Sequence, residues 1–186
     1  MDGSAPIHGL APRFFDGVLE FPVYHMRGGT STGVLLYEPH LPEDLALREE
    51  LIRHVMGVPQ QGEVDRNAQI TGLGRGIPQS CKVFIVDDSA RDDADIQSTL
   101  AQLAPTKSAI DWSVNCGNMS AALPVFAAQV GLLSLLPGTN RVRIFNTNTG
   151  VVTHALIDMP APDQPVASET EIPRSEEHTS ELQSPC

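Results

Sequence analysis

The sequence predicts an α+β domain: a mostly antiparallel or mixed sheet wrapped around one central helix. Three observations carry that expectation. Apolar, β-leaning runs come in pairs around polar, Gly-rich turns, at 21–37 and again at 141–159. An apolar helical run at 121–130 sits between the pairs. No strand–helix alternation of the parallel βαβ kind recurs, and no repeat appears at a period of about 20–50 residues. With 186 residues, 41% hydrophobic and 19% charged, the chain has room for one domain or a domain and part of another.

Residues 1–19 carry Pro and Gly and read as a loose lead-in. The domain is expected over 20–160. A strand at 21–26 ends in the polar turn 27–33, and 34–37 resumes as its hairpin partner. Pro42, Glu43 and Asp44 open a helix that runs to about Val55 and is stopped by Gly57 and Pro59. Leu45, Leu47, Leu51, Ile52 and Val55 give it an apolar stripe. A Gly-rich stretch at 72–81 feeds a strand at 82–86, and 87–95 reads as a solvated acidic turn. Its Asp spacing loosely resembles a calcium loop without the central Gly or the terminal Glu. Near 116 a polar turn becomes the helix at 121–130, with Asn118 or Ser120 as N-cap and Gly131 as stop. Residues 141–159 read as two strands around a polar turn, Arg141 and Arg143 alternating with Val142 and Ile144. Beyond Pro160, residues 161–173 look like a linker. Residues 174–186 have no amphipathic pattern, resemble translated adapter sequence, and are set aside as an artefactual tail.

The net charge of −11 argues against a nucleic-acid-binding surface, which needs clustered Lys and Arg. It leaves anionic substrates open, because a nest of backbone N–H groups binds a carboxylate in an acidic protein as well as in a basic one. No stretch approaches the roughly 18 apolar residues of a membrane span, and the first residues lack the pattern of a signal peptide. Three cysteines, Cys81, Cys116 and Cys186, form no disulfide framework and no metal pair, so a reducing cytoplasm fits best.

Cys116 is the candidate for chemistry. It lies between Asn115 and the pair Gly117-Asn118, at the start of a helical run, where free N–H groups and the macrodipole favour a thiolate and hold a substrate oxyanion. The competing reading is a buried cysteine packed as a small hydrophobe. The turn at 28–33 lacks Walker spacing, and 72–76 lacks a full dinucleotide fingerprint. His25, His40, His54 and His154 show no ligand-like spacing.

Four segments in this order, Met26-Arg27-Gly28-Gly29-Thr30-Ser31-Thr32-Gly33, Gly72-Leu73-Gly74 ahead of Lys82, Asn115-Cys116-Gly117-Asn118-Met119-Ser120, and Asn146-Thr147-Asn148-Thr149-Gly150, resemble the PrpF family of isomerases and tautomerases. The resemblance covers about residues 20–160. It implies the diaminopimelate-epimerase-like fold and a cofactor-independent proton shift on a small unsaturated di- or tricarboxylic acid. It also implies a lysine and a cysteine on opposite sides of the substrate, which by motif match are Lys82 and Cys116. Backbone N–H groups around Gly28, Gly29, Thr30 and Ser31 and after Cys116 (Gly117, Asn118, Met119), with the Asn115 and Asn118 side chains, suit the dianionic intermediate. Members are longer, with two similar halves around the substrate. The expectation is therefore an N-terminal half whose partner half-domain is missing and whose activity alone is weak; homo-oligomerisation is left open. Thr32, Arg75, Pro78, Gln79 and Cys81 depart from the family pattern and bear on which acid is bound. Two alternatives stand beside this reading: a racemase or epimerase of the same fold, which pairs two cysteines and would enlist Cys81, and a non-catalytic accessory protein.

Overall fold

The computed structural model describes residues 11–160. The expected linker at 161–173, the tail at 174–186 and the first ten residues of the lead-in lie outside the described residues. Where the lead-in was expected to be loose, residues 13–20 instead form a small hairpin, β1 (Arg13–Phe15) antiparallel to β2 (Val18–Glu20). Its turn is Asp16-Gly17, both at positive φ (52° and 80°). Asp-Gly is the pair that a two-residue hairpin turn of this hand requires, so the signal was present in the sequence.

The main sheet has seven strands. β3 (Tyr24–Gly28) and β4 (Ser31–Tyr37) form a hairpin closed by Gly29-Thr30, a tighter turn than the one read over 27–33. β4 runs parallel to β5 (Lys82–Asp88), which extends through the first two residues of the expected acidic turn. β6 (Ile96–Leu103) pairs antiparallel with β5 and with the short β7 (Ile110–Asp111), and parallel with β8 (Gly138–Asn146). β9 (Val151–Met159) closes the order β3-β4-β5-β6-β8-β9 as the antiparallel partner of β8. The sheet is mixed, as expected for the α+β class.

Helices cover both faces of the sheet. On one, α1 (Leu45–Met56) sets Ile52 and Met56 on Val34, Leu36, Val83, Ile85, Ala101 and Leu103. On the other, α2 (Gly117–Ser120) and α3 (Leu123–Gln129) set Met119, Leu123 and Phe126 on Leu35, Phe84, Leu100, Val142 and Ile144. This doubly covered sheet explains why Val34-Leu35-Leu36 and Val83-Phe84-Ile85-Val86 read as continuous apolar runs: strands buried on both faces do not alternate. Fully burying a side chain such as Phe84 or Phe126 contributes about 2 kcal/mol. Among the described residues no helix is long and apolar enough to cross a membrane.

Two expectations about helices need correction. In α1, the Asp44 side chain caps the N-terminus and Gly57, at φ 69°, ends it. Leu45 and Leu47, however, are exposed rather than buried. Leu47 points away from the stripe that carries Ile52. Leu45 shares that face but lies a full two turns earlier, in a cleft beside Trp112 rather than in the core. The helix after Cys116 is broken at Ala121-Ala122, with Cys116 itself, not Asn118 or Ser120, at the N-cap. Pro124 causes the break. It has no N–H to give Ser120, and its ring crowds the carbonyl four residues back, so it is accommodated only in the first turn of a new helix.

Two side-chain devices hold these layers in place. β8 meets β6 only over Ile96–Ser98; beyond that, Asn148 stands in for a strand. Its Oδ1 accepts from Leu100 N at 2.7 Å, and its Nδ2 donates to Leu100 O at 2.9 Å and to Trp112 O at 2.6 Å. The second is Asp95, which accepts from Arg143 N at 2.7 Å and pairs with the Arg143 guanidinium at 2.6 Å. The side-chain bonds from Arg143 hold the Asp95 carboxyl below its usual range against the opposing effect of burial.

A carboxyl depressed in the folded state stabilises the fold fully above its unfolded value, near 3.9, and loses that contribution as pH falls through the folded value. Asp95→Asn is therefore expected to lower stability at neutral pH by about 1 kcal/mol and to flatten the acid limb of stability below about pH 4, as read by urea denaturation across pH. Gly28→Ala is expected to cost about 1–3 kcal/mol in the same assay, because its Cβ would fall 2.1 Å from Asn118 O and 2.8 Å from Met119 Cα.

Candidate functional site

The β3–β4 hairpin forms the floor of the site. Gly28 and Gly29 bring its turn directly against α2. A Cβ on Gly29 would sit 2.9 Å from Asn118 Oδ1, and the backbone there is left-handed at φ 54°. Across this contact Asn118 Nδ2 donates to Thr30 Oγ1 at 3.0 Å. The turn thus fixes α2, and α2 fixes the residue at its head.

Cys116 is half-buried and free, its sulfur 3.8 Å from the hydroxyl of buried Ser31. Asn115 Oδ1 accepts from Cys116 N at 2.7 Å, so that N–H is already engaged. The Cys116 carbonyl accepts from both the N–H and the hydroxyl of Ser120, each at 3.0 Å. No side chain caps α2, and the N–H groups of Gly117, Asn118 and Met119 have no hydrogen-bond partner among the described residues. At four residues α2 is too short to supply much of a macrodipole, so the N-terminal field expected from a longer helix shrinks to these local N–H groups.

Lys82 opens β5. Period-two alternation places it with Phe84 and Val86, whose side chains enter the core on the α2–α3 face. Gly33 is its neighbour on β4: a Cβ there would lie 3.2 Å from Lys82 Cβ and 3.3 Å from Met119 Cε. Ser31 and Gly33 therefore form the strip of β4 between the lysine and the cysteine. The absence of a side chain at Gly33 keeps that strip low. The Lys82 amine donates to Gln102 Oε1.

The remaining expected site residues divide. Gly28, Gly29, Thr30, Ser31, Asn115, Gly117 and Asn118 all lie at this junction. Met119 does not present its side chain there: it is fully buried in the α3-side core, and only its backbone remains near the site. Cys81 lies on the opposite face of the sheet, fully buried in the α1-side core, its sulfur 3.1 Å from Gln69 Oε1. Burial pushes its thiol above the ordinary value. That placement removes the two-cysteine pairing of the racemase alternative, since Cys81 and Cys116 are on different sides of the sheet. Arg75 is an exposed loop residue. Among the described residues no group of three or more His, Cys, Asp or Glu could hold a metal.

Gln102 and Asn148 were not singled out for roles by sequence reading. Gln102 is the one polar residue among Ala101, Leu103 and Leu100, and nothing local marks its partner 20 residues away. Asn148 sits in a quoted motif, where Asn-Thr-Asn-Thr-Gly reads simply as a turn. Two clefts lie away from the site. One of about 500 Å³ is formed by Phe21, Val23, Leu51 and residues 70–73, and one of about 290 Å³ by α1, Thr99 and Trp112. Lys82 and Cys116 line neither.

Comparison with known proteins shows the family and the fold. The family described as PrpF protein matches residues 18–173. A 3-methylitaconate isomerase from Eubacterium barkeri is 34% identical over 141 residues, 76% of this chain and 36% of its own length. A 4-oxalomesaconate tautomerase from Pseudomonas putida is 35% identical over 141 residues, 76% of this chain and 37% of its own length. The crystal structure of a methylitaconate-delta-isomerase superposes with a TM-score of 0.68 at 34% identity, covering 75% of this chain and 59% of that one. The chain thus spans well under half the length of the two named relatives. By sequence and by fold, it belongs to the PrpF family, with the diaminopimelate-epimerase-like architecture.

Proposed function

We propose that this domain contributes Lys82 and Cys116 to the site of a cofactor-independent isomerase acting on a small unsaturated di- or tricarboxylic acid. The observation that carries the reading is their placement on one sheet face, on either side of the Ser31–Gly33 strip. An amine and a thiol so arranged can take a proton from an allylic carbon and return one at another carbon of the same π system, with no change in oxidation state. The intermediate is a dienolate beside a carboxylate, and its charge calls for fixed donors. The unpartnered N–H groups of the first turn of α2, the Thr30 and Ser31 hydroxyls and the Asn118 amide are of that type. The names of the relatives support the substrate class: methylitaconate and oxalomesaconate are both unsaturated polycarboxylates.

In this reading a second half-domain, present in the greater length of the relatives, forms the wall over the half-buried Lys82 and Cys116. Both described thiols are free, which suits a reducing cytoplasm.

The experiment is a chimera in which residues 18–160 replace the matching stretch of the Eubacterium barkeri isomerase. Solvent deuterium incorporation into methylitaconate, 2-methylaconitate and oxalomesaconate is then followed. At least one acid is expected to exchange, with Lys82→Ala and Cys116→Ser each lowering the rate by about 10²–10⁴-fold. A folded chimera that exchanges none of the three, or variants that keep its rate, would overturn the proposal. In the 186-residue chain itself, iodoacetamide is expected to modify Cys116 in the native state and Cys81 only after unfolding, as read by peptide mass; native protection of Cys116 would argue for an accessory role instead.

A further inference from the structure

Lys82 lies directly opposite Gln102 in the β5–β6 register, and its amine donates to Gln102 Oε1. The other end of that amide is committed. Gln102 Nε2 lies 3.2 Å from Pro78 O, 3.1 Å from Cys81 O and 2.9 Å from Leu103 O. Turning the amide over would set its oxygen against three carbonyl oxygens and its NH₂ against an amine donor, unfavourable at both ends. The three carbonyls therefore dictate which end of Gln102 faces the lysine. Pro78 and Cys81 belong to the single 3-10 turn, Pro78–Ser80 and its cap, that delivers the chain into β5. One side chain thus anchors that turn and offers the lysine an acceptor.

The kind of acceptor matters. The chain carries 23 Asp and Glu against 12 Lys and Arg, yet the amine is met here by a neutral amide. A carboxylate at this position would favour the charged amine and work against proton exchange. We propose that Gln102 is the positioning residue for Lys82, holding the amine on the α2–α3 face through a neutral acceptor whose orientation is set by Pro78, Cys81 and Leu103. The functional part of this inference rests on Lys82 handling a proton; the Gln102–Lys82 coupling does not.

The chain has only two lysines, Lys82 and Lys107. Lys107 pairs with exposed Glu63 at 3.0 Å and serves as an internal reference. The folded 186-residue chain is labelled with trinitrobenzenesulfonate across a range of pH, and the two sites are separated by peptide mass. Gln102→Glu matches the side chain in length and keeps an acceptor at the amine but, ionised across the alkaline labelling range, sets an oxygen against the three carbonyls and loosens their hold. It is expected to displace the Lys82 labelling profile to higher pH with the Lys107 profile unmoved. Gln102→Met, which removes the acceptor, is expected to raise Lys82 labelling several-fold relative to Lys107 at mildly alkaline pH. A purely structural role would leave the Lys82 profile of the Glu variant on that of the parent, and that result overturns the proposal. If the Met variant fails to fold by circular dichroism, the Glu profile decides alone. Labelling needs no turnover, so a displaced profile beside an inactive chimera would sink the isomerase reading and leave the coupling standing.

Discussion

Backbone meets backbone where α2 rests on the β3–β4 hairpin, and only glycine allows it. At Gly28 the space for a side chain is already taken by the Asn118 carbonyl, and at Gly29 the Asn118 side chain closes over a left-handed turn. Because the two segments touch without intervening side chains, Cys116 comes within reach of the Ser31 hydroxyl. A glycine one turn of the pleat farther on, Gly33, then lets the lysine strand approach Met119. The glycines of this hairpin are spent on close approach rather than on cradling a phosphate.

Much of this arrangement was legible in the sequence, because its signals are local. The paired strands, the cap and stop of α1, the alternation of Arg141-Val142-Arg143-Ile144, and the polar turn ahead of α2 each follow from neighbouring residues. The errors also have local causes. Asp16-Gly17 is a hairpin turn read as loose chain, and Pro124 is a helix break read through because the apolar run around it was continuous. Leu45 shows a different limit. Its place on the apolar stripe was right, but whether the sheet extends beneath it depends on the tertiary arrangement and not on the stripe.

What stayed hidden is non-local. Nothing near Gln102 announces Lys82, and nothing near Asn148 announces Leu100 and Trp112; each pairing arises only when β6 is laid between β5 and β8. Likewise the single helix expected at the centre became two layers: the continuous apolar runs of β4 and β5 signal that both faces are covered, but not which helix covers which face. The Lys82–Cys116 pair itself was reached through family resemblance. The physical sense of that pairing appears only once the alternation along β5 puts the lysine on the α2–α3 side.

That alternation carries a consequence for how the domain can vary. Cys81 and Lys82 are adjacent in the chain, yet one is sealed in the α1-side core and the other shares a side with Cys116. Inserting or deleting a single residue at the entry to β5 would exchange them, delivering a thiol to the α2–α3 face and forcing an amine into hydrocarbon. Much of the loop from Gly72 to Ser80 is fixed as well, Gly72 and Gly74 by their close approach to Gly57 and the Gln69 side chain and buried Ser80 by its bonds to Arg75 N and Ile77 O, so variation that leaves the count intact is channelled into exposed side chains such as Arg75.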